Sequence, residues 1–148
     1  GAITASLVLA EAKEVVIINR TAEKAQNLAT RMQGISRTRV RAKAWNGTYT
    51  IDEDRLIVVQ ATSVGLFDER AVIDVAFKRG LTDVIACDVV FNPTKTQFLS
   101  LAEEAGAVTL DGLGMLVEQG AIAIEGWTHK SPDRLLMQNA LEHAFSIR

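Results

Sequence analysis

Val15-Val16-Ile17-Ile18-Asn19-Arg20-Thr21-Ala22-Glu23-Lys24 is the stretch that decides the fold. Four apolar, β-branched residues end abruptly in a polar turn. Beyond it, Ala22, Ala25, Leu28, Ala29 and Met32 recur at intervals of three or four. That is a buried strand over 15–18, a turn, and a helix over 22–33 that stops near Gly34. Thr21 fits the N-cap, where a hydroxyl can accept a first-turn N–H. Such a turn sits at the carboxyl end of a parallel strand, where open α/β sheets bind ligands. Arg20 and Lys24 together suit an anion there. A guanidinium offers phosphate a fixed fork. At the second strand of a dinucleotide-binding unit, an acid selects the ribose 2′-hydroxyl of NAD and an Arg accommodates a 2′-phosphate.

Upstream, Ala-rich residues 2–12 read as a helix with Ile3, Leu7 and Ala10 along one side. Downstream, Arg39, Arg41 and Lys43 alternate with Val40, Ala42 and Ala44, as in a strand covered on one side, and Asn46-Gly47 is a turn signal. A short helical turn is expected over 51–55. A buried strand follows at Leu56–Val59, closing in the small polar loop Gln60-Ala61-Thr62-Ser63-Val64-Gly65. A weak helix is expected over 74–79, stopping at Gly80. The next strand runs over 83–90 and is closed by Asn92-Pro93. A helix over 95–105 turns Phe98, Leu99 and Ala102 inward and ends at Gly106. A short strand over 108–110 precedes a helix over 111–127, entered through Gly112-Leu113-Gly114. Ser131-Pro132 predicts the start of a last helix, with Leu135, Leu136, Ala140, Leu141 and Ala144 as its apolar stripe. Alternating short apolar strands and helices mean an α/β fold with a doubly wound parallel sheet. Such a fold opens with a strand and a G-x-G-x-x-G/A loop before its first helix. Here Gly1-Ala2 already stand at the helix start. The sequence therefore predicts a Rossmann-like domain lacking its central first strand and most of the Gly-rich loop, a fragment or an excised domain unable to complete its sheet alone.

The 148 residues suit one domain, and 48% hydrophobic content supports a core. Sixteen Lys and Arg stand against 18 Asp and Glu, a formal charge of −2 with no basic run. That balance argues against a nucleic-acid partner. No apolar run reaches the length of a membrane span and no signal peptide is visible, so a cytoplasmic protein with no membrane partner is expected. Cys87 is the only cysteine, which excludes a disulfide framework and a cysteine zinc site. No metal ligand set is assigned. Within Val84-Ile85-Ala86-Cys87 the thiol is expected buried and inert.

Four motifs in order now carry a resemblance. Asn19-Arg20-Thr21-x-x-Lys24-Ala25 resembles the NADP-selecting turn of shikimate dehydrogenases. Ala61-Thr62-Ser63-Val64-Gly65-Leu66 resembles their nicotinamide-side loop. Asp88-Val89-Val90-Phe91-Asn92-Pro93-x-Lys95-Thr96 is similar to their segment after strand five. Asp111-Gly112-Leu113-Gly114-Met115-Leu116-Val117-Glu118-Gln119-Gly120-Ala121 resembles their near-C-terminal signature, and Trp127-Thr128 also fits. The likeness covers essentially the whole chain.

It implies the C-terminal NADP domain of a two-domain enzyme. The enzyme's N-terminal substrate domain would be the first partner, with a last helix (about 132–146) packing towards it. The activity implied is reversible, NADPH-dependent reduction of 3-dehydroshikimate to shikimate in the aromatic amino-acid pathway. Residue by residue, Gly1 and Ala2 would end the diphosphate loop. Asn19, Arg20, Thr21 and Lys24 would hold the adenosine 2′-phosphate. Thr62 and Ser63 would line the cofactor groove, and Val89 and Gly112 would approach the nicotinamide. Gln119 would bond a substrate hydroxyl, with Met115 and Phe91 near the reacting ring. The family's catalytic Lys–Asp pair belongs to the other domain, so no catalytic residue is assigned and the chain alone is expected to be inactive.

Two departures stand out. Gln60 replaces the common Asn, and Phe91 stands where many members have Tyr, which removes one bond to substrate and suits a different polyol acid such as quinate. A quinate/shikimate dehydrogenase-like paralogue and a non-catalytic NADPH-binding module are the alternatives. Glutamyl-tRNA reductases share the Asn-Arg-Thr turn but lack the 111–121 signature. Monomer and homodimer both remain open.

Overall fold

The computed structural model describes residues 1–66, 68 and 70–146. It divides into two compact units, Gly1–Tyr49 and Thr50–Arg148.

In the first unit, helix α1 (Ala2–Leu9) leads into strand β1 (Glu14–Asn19), helix α2 (Ala22–Met32) and strand β2 (Arg39–Ala44). The two strands pair in parallel, Glu14 opposite Arg39 through Asn19 opposite Ala44. Val8, Val15, Ala29 and Val40 form the core, with Leu7, Ala12, Ile17, Met32 and Ala42 packed around it. The α2 periodicity buries Ala25 and Ala29 as expected, while Ala22 stays exposed. On α1 the buried residue is Val8 and Ala10 is exposed, because the helix ends at Leu9, before the expected residue 12. The charged side of β2 is paired rather than merely solvated. Arg39 and Arg41 both meet the Glu14 carboxylate, and Lys43 sits 4.7 Å from the Tyr49 ring centroid. The hydrogen bond from Arg41, ahead of the other charges, lowers the pKa of the Glu14 carboxyl. After β2, the predicted Asn46-Gly47 turn has Gly47 at φ +67° and takes the Trp45 indole N–H on the Gly47 carbonyl at 2.8 Å.

In the second unit, strands β4 (Leu56–Gln60), β6 (Val84–Asp88) and β7 (Val108–Leu110) form a parallel sheet in the order β4-β6-β7. The short strands β3 (Tyr49–Ile51) and β5 (Val75–Phe77) pair beside it. These two overturn expectations. Residues 51–55 hold a strand end and bends, and the weak helix over 74–79 is a strand. The cause is non-local: the Ile51 carbonyl accepts the Lys78 N–H at 2.8 Å, and β-branched Val75 favours the extended form.

Helix α3 (Gln97–Glu104) covers one face of the three-stranded sheet. Phe98, Leu99 and Ala102 are buried there with Val84 and Ala86. Phe98 and Leu99 each contribute roughly 1.5–3 kcal/mol by leaving water, enough to pin a two-turn helix. Register places Ile57, Ile85 and Val108 in one row of the opposite face and Val59, Cys87 and Leu110 in the next. That face is only half covered: Ile57 is 56% exposed and Val108 63%. So β4 is not the wholly buried strand its composition suggests, and Cys87 is half-buried, not buried.

Helix α4 (Leu113–Thr128) begins two residues later than expected. Helix α5 (Arg134–Ser146) also starts late, because Asp133, and not Ser131-Pro132, caps it by accepting the Leu136 N–H at 3.0 Å. Its Leu135 and Leu136 are exposed, against the expected stripe. What turns α5 onto α4 is polar. Arg134 reaches Glu118 and Glu125, Ser131 donates to Glu125, and the Met137 side chain lies over Gly120. Those bonds, Ser131 first and Arg134 next, lower the pKa of the Glu125 carboxyl.

Taken by itself, each unit holds a parallel run of the kind a doubly wound sheet contains, β1-β2 in the first and β4-β6-β7 in the second.

Candidate functional site

Four strands, β1 in the first unit and β4, β6 and β7 in the second, end in the same device. At the end of β1, Asn19 Oδ1 accepts the N–H of Thr21 at 2.8 Å. At the end of β4, Gln60 Oε1 accepts the N–H of Thr62 at 2.6 Å. After β6, Asp88 Oδ1 accepts the N–H of Val90 at 2.9 Å. After β7, Asp111 Oδ1 accepts the N–H of Leu113 at 2.9 Å. In each case a side-chain oxygen accepts the N–H two residues on, in the manner of a backbone turn, and folds the chain sharply at the carboxyl end of its strand. Asn19–Lys24, Thr62, Ser63, Val89 and Gly112 lie on these four turns or just after them.

In the first unit the turn gathers Asn19, Arg20, Thr21 and Lys24. Thr21 occupies the N-cap of α2 as expected, but its hydroxyl makes no cap bond; its own N–H is held by Asn19. Asn19 thus spends its side-chain oxygen on shaping the turn. Arg20 and Lys24 are exposed, and among the described residues neither makes an ion pair. Two cations left to solvent beside the first turn of α2, whose dipole also favours anions, fit a phosphate. Gly1 and Ala2 stand as the N-cap and first residue of α1.

The second unit brings the other residues onto adjoining turns. Thr62 and Ser63 are exposed on the loop after β4. Gln60, the departure from the usual Asn, holds that loop with both ends of its amide, since Nε2 also donates to the Val64 carbonyl at 3.0 Å. Thr62 Oγ1 then accepts the Val64 N–H at 3.1 Å. After β6, Val89 donates its N–H to the Gln60 carbonyl at 3.1 Å, and Val90 accepts the Gly112 N–H at 3.2 Å. Gly112 is buried here by other backbone: a Cβ on it would lie 2.7 Å from the carbonyl oxygens of both Val89 and Val90. Its missing side chain is explained by packing within the chain. A Cβ on Gly114 would meet nothing within 4 Å, so that glycine is free of the constraint. Phe91 stacks on Phe145, ring centroids 5.9 Å apart. Met115 is half-buried and Gln119 exposed, and with Gly112 they share one side of α4 by helical spacing.

Sequence reasoning missed Asp88 and Thr96. Asp88 is 3% exposed, and its Oδ2 accepts the Thr96 hydroxyl at 2.7 Å. Thr96 caps α3 by accepting the Leu99 N–H. The signal was present: a lone acid closing an apolar run has to be satisfied locally. Lys95, just before α3, pairs with Glu103. His129 is exposed at the C-cap of α4. A cavity of about 270 Å³ has Gln60, Asp88, Thr96, Val64, Ile73 and Phe98 in its walls.

Burial pushes the Asp88 carboxyl above the ordinary carboxylate range, against the opposing pull of Val90 N–H and Thr96. A carboxyl raised on folding contributes its stability below its unfolded value, near 4, and loses it as pH rises through the folded value. Asp88→Asn cannot ionise. Its stability relative to the parent is expected to rise as the pH is raised above about 4 in urea titrations. A difference that stays flat would remove Asp88 as the titrating group.

Among the described residues no helix is long and apolar enough to cross a membrane, and no His, Cys, Asp and Glu group could hold a metal ion. Residues 112–142 match the model of the shikimate 5′-dehydrogenase C-terminal domain. The shikimate dehydrogenase (NADP(+)) of Methanopyrus kandleri is 36% identical over 96% of this chain and 50% of its own. A ligand-free 5-ketofructose reductase of Gluconobacter sp. strain CHM43 superposes with a TM-score of 0.84 at 38% identity, over 97% of this chain and 52% of that one. The Thermus thermophilus shikimate 5-dehydrogenase in complex with NADP(H) and shikimate gives 0.70 at 30%, over 95% and 49%. The chain thus spans about half the length of the relatives it matches. With its strand order and its four strand-end turns, it belongs to the shikimate dehydrogenase family, as a C-terminal domain of that family.

Proposed function

We propose that this chain is the NADP-binding domain of a two-domain oxidoreductase that interconverts 3-dehydroshikimate and shikimate. The observation that supports it most is the Asn19–Lys24 turn, where Arg20 and Lys24 face solvent with no acid before Glu23. Arg20 and Lys24 would hold the adenosine 2′-phosphate, with Asn19 and Thr21 shaping their turn and Gly1 and Ala2 serving the diphosphate. Thr62, Ser63, Val89 and Gly112 would line the nicotinamide end. Bound NADPH supplies the hydride. Met115 and Phe91 would pack near the reacting ring while Gln119 bonds a hydroxyl. Proton transfer would fall to a partner domain, towards which the α5 region (about 132–146) would pack. The setting would be the cytoplasm.

A second reading has an observation of its own. Identity to the Gluconobacter 5-ketofructose reductase, 38%, exceeds the 36% to the Methanopyrus enzyme. Phe91 has no hydroxyl to offer a carboxylated ring and instead stacks on Phe145. A reductase of an open or cyclic ketose would use the same cofactor turn with a different substrate pocket. The quinate paralogue stays within this second group.

The deciding experiment is a steady-state assay of the complete enzyme. Shikimate, quinate and 5-ketofructose are each offered with the NADP and NAD couples. Preference for shikimate with NADP supports the first reading. Turnover confined to 5-ketofructose or quinate overturns it in favour of the second, and cofactor binding without turnover of any of them leaves a nucleotide-binding module.

A further inference from the structure

Gln60 and Asp88 are Cα partners in the β4–β6 register. Both are polar, both are almost wholly buried at 4% and 3% exposure, and neither is among the residues assigned to ligand. Each supports a different loop of the site. The Gln60 amide spans its loop from Thr62 N–H to the Val64 carbonyl. Asp88 ties Val90 N–H to the Thr96 hydroxyl, and through Thr96 to the first turn of α3. A backbone bond, Val89 N–H to Gln60 carbonyl, joins the two supports.

A cavity of about 270 Å³ adjoins the Val64–Gly65 end of the first loop, and Gln60 and Asp88 form part of its wall. On that side the buried Gln60 amide carries the restraint on the loop, whereas Val90, 1% exposed, is packed with Gly112 against its backbone and is tied to Asp88 besides. All of the hydrogen-bonding atoms of Gln60 and Asp88 are satisfied, since no buried side-chain nitrogen or oxygen among the described residues lacks a partner. A satisfied buried network of this kind gives rigidity and a unique geometry.

We infer that Gln60 and Asp88 act as one positioning pair, which fixes the spacing between the Thr62–Ser63 loop and the Val89–Phe91 segment. The inference rests on the cofactor reading above and deepens it by naming what sets the reacting end of that site. Gln at position 60, rather than Asn, is part of the device. One methylene fewer would withdraw the amide by about 1.5 Å, so it could no longer hold both Thr62 and Val64.

The test uses the complete enzyme with its best substrate. Gln60→Asn is expected to lower kcat about tenfold, because small misplacement of bound reactants is costly. The affinity for adenosine 2′-monophosphate, a probe that engages only the Asn19–Lys24 turn, should stay unchanged. Thr96→Val should lower kcat in the same way, and Thr96→Ser, which keeps the hydroxyl, should restore it. A kcat for Gln60→Asn within twofold of the parent overturns the inference. So does a fall in probe affinity that tracks the fall in kcat, which would mean general loosening. An unmodified enzyme that does not bind adenosine 2′-monophosphate overturns the cofactor reading itself, and the inference with it.

Discussion

Gly112→Ala is expected to destabilise the chain, because Gly112 has the tightest surroundings of its glycines. The problem is space, since Gly112 has an ordinary φ of −83°. Its Cβ would lie 2.7 Å from two carbonyl oxygens and 2.8 Å from the Val89 carbonyl carbon. All three atoms are backbone, so no rotamer change can make room. Either α4 moves away from β6 or the Val89–Val90 segment is displaced. Overpacking of this kind costs about 1–3 kcal/mol in stability. A displaced Val89 would also misalign the nicotinamide end of the proposed site, where a shift near 1 Å costs on the order of 100-fold in turnover. Thermal denaturation and kcat of the complete enzyme both read this out. Gly114→Ala is the control: it has open space, and in a helix interior alanine gains about 0.8–1 kcal/mol over glycine. If the two variants behaved alike, the close approach at Gly112 would have no consequence.

Arg20→Ala is expected to weaken NADPH by about 1.5–3 kcal/mol, or about 10- to 150-fold in Kd, while NADH changes little. The guanidinium can make a bidentate, charge-assisted contact that only a 2′-phosphate accepts. Lys24 supplies a point charge and should matter less. Both groups are exposed, so the discrimination should shrink as ionic strength rises. Equal loss of the two cofactors would place Arg20 away from the 2′-position and leave the turn as an ordinary solvated bend.

The strands that carry the turns were legible because their apolar runs are bounded by polar residues on both sides. Strand β7 falls on the expected residues 108–110, and the inward set Phe98, Leu99 and Ala102 of α3 is the observed one. What the pattern could not carry was pairing over long separations. Residues 51 and 75–77 are too few to show a period, and their strand form depends on a bond between Ile51 and Lys78. The α5 stripe failed for a different reason. Adjacent leucines look like a face, but the helix is turned by Arg134 on Glu118 and Glu125 and by Met137 over Gly120. Within the site, the motifs pointed to the correct turns, yet the division of labour inside each turn was hidden. Asn19 and Gln60 looked like ligand-facing or doubtful positions, and both spend side-chain atoms on the chain itself.

The row that holds Cys87 gives the chain its own clock. The sole sulfhydryl stands between Val59 and Leu110 on the half-covered side of the sheet. Burial raises its pKa, so alkylation there is slow at neutral pH and sensitive to every loss of cover. The rate at which a maleimide finds this one sulfur reports how long the sheet stays sheltered, with no label introduced and no other thiol in the chain to confuse the count.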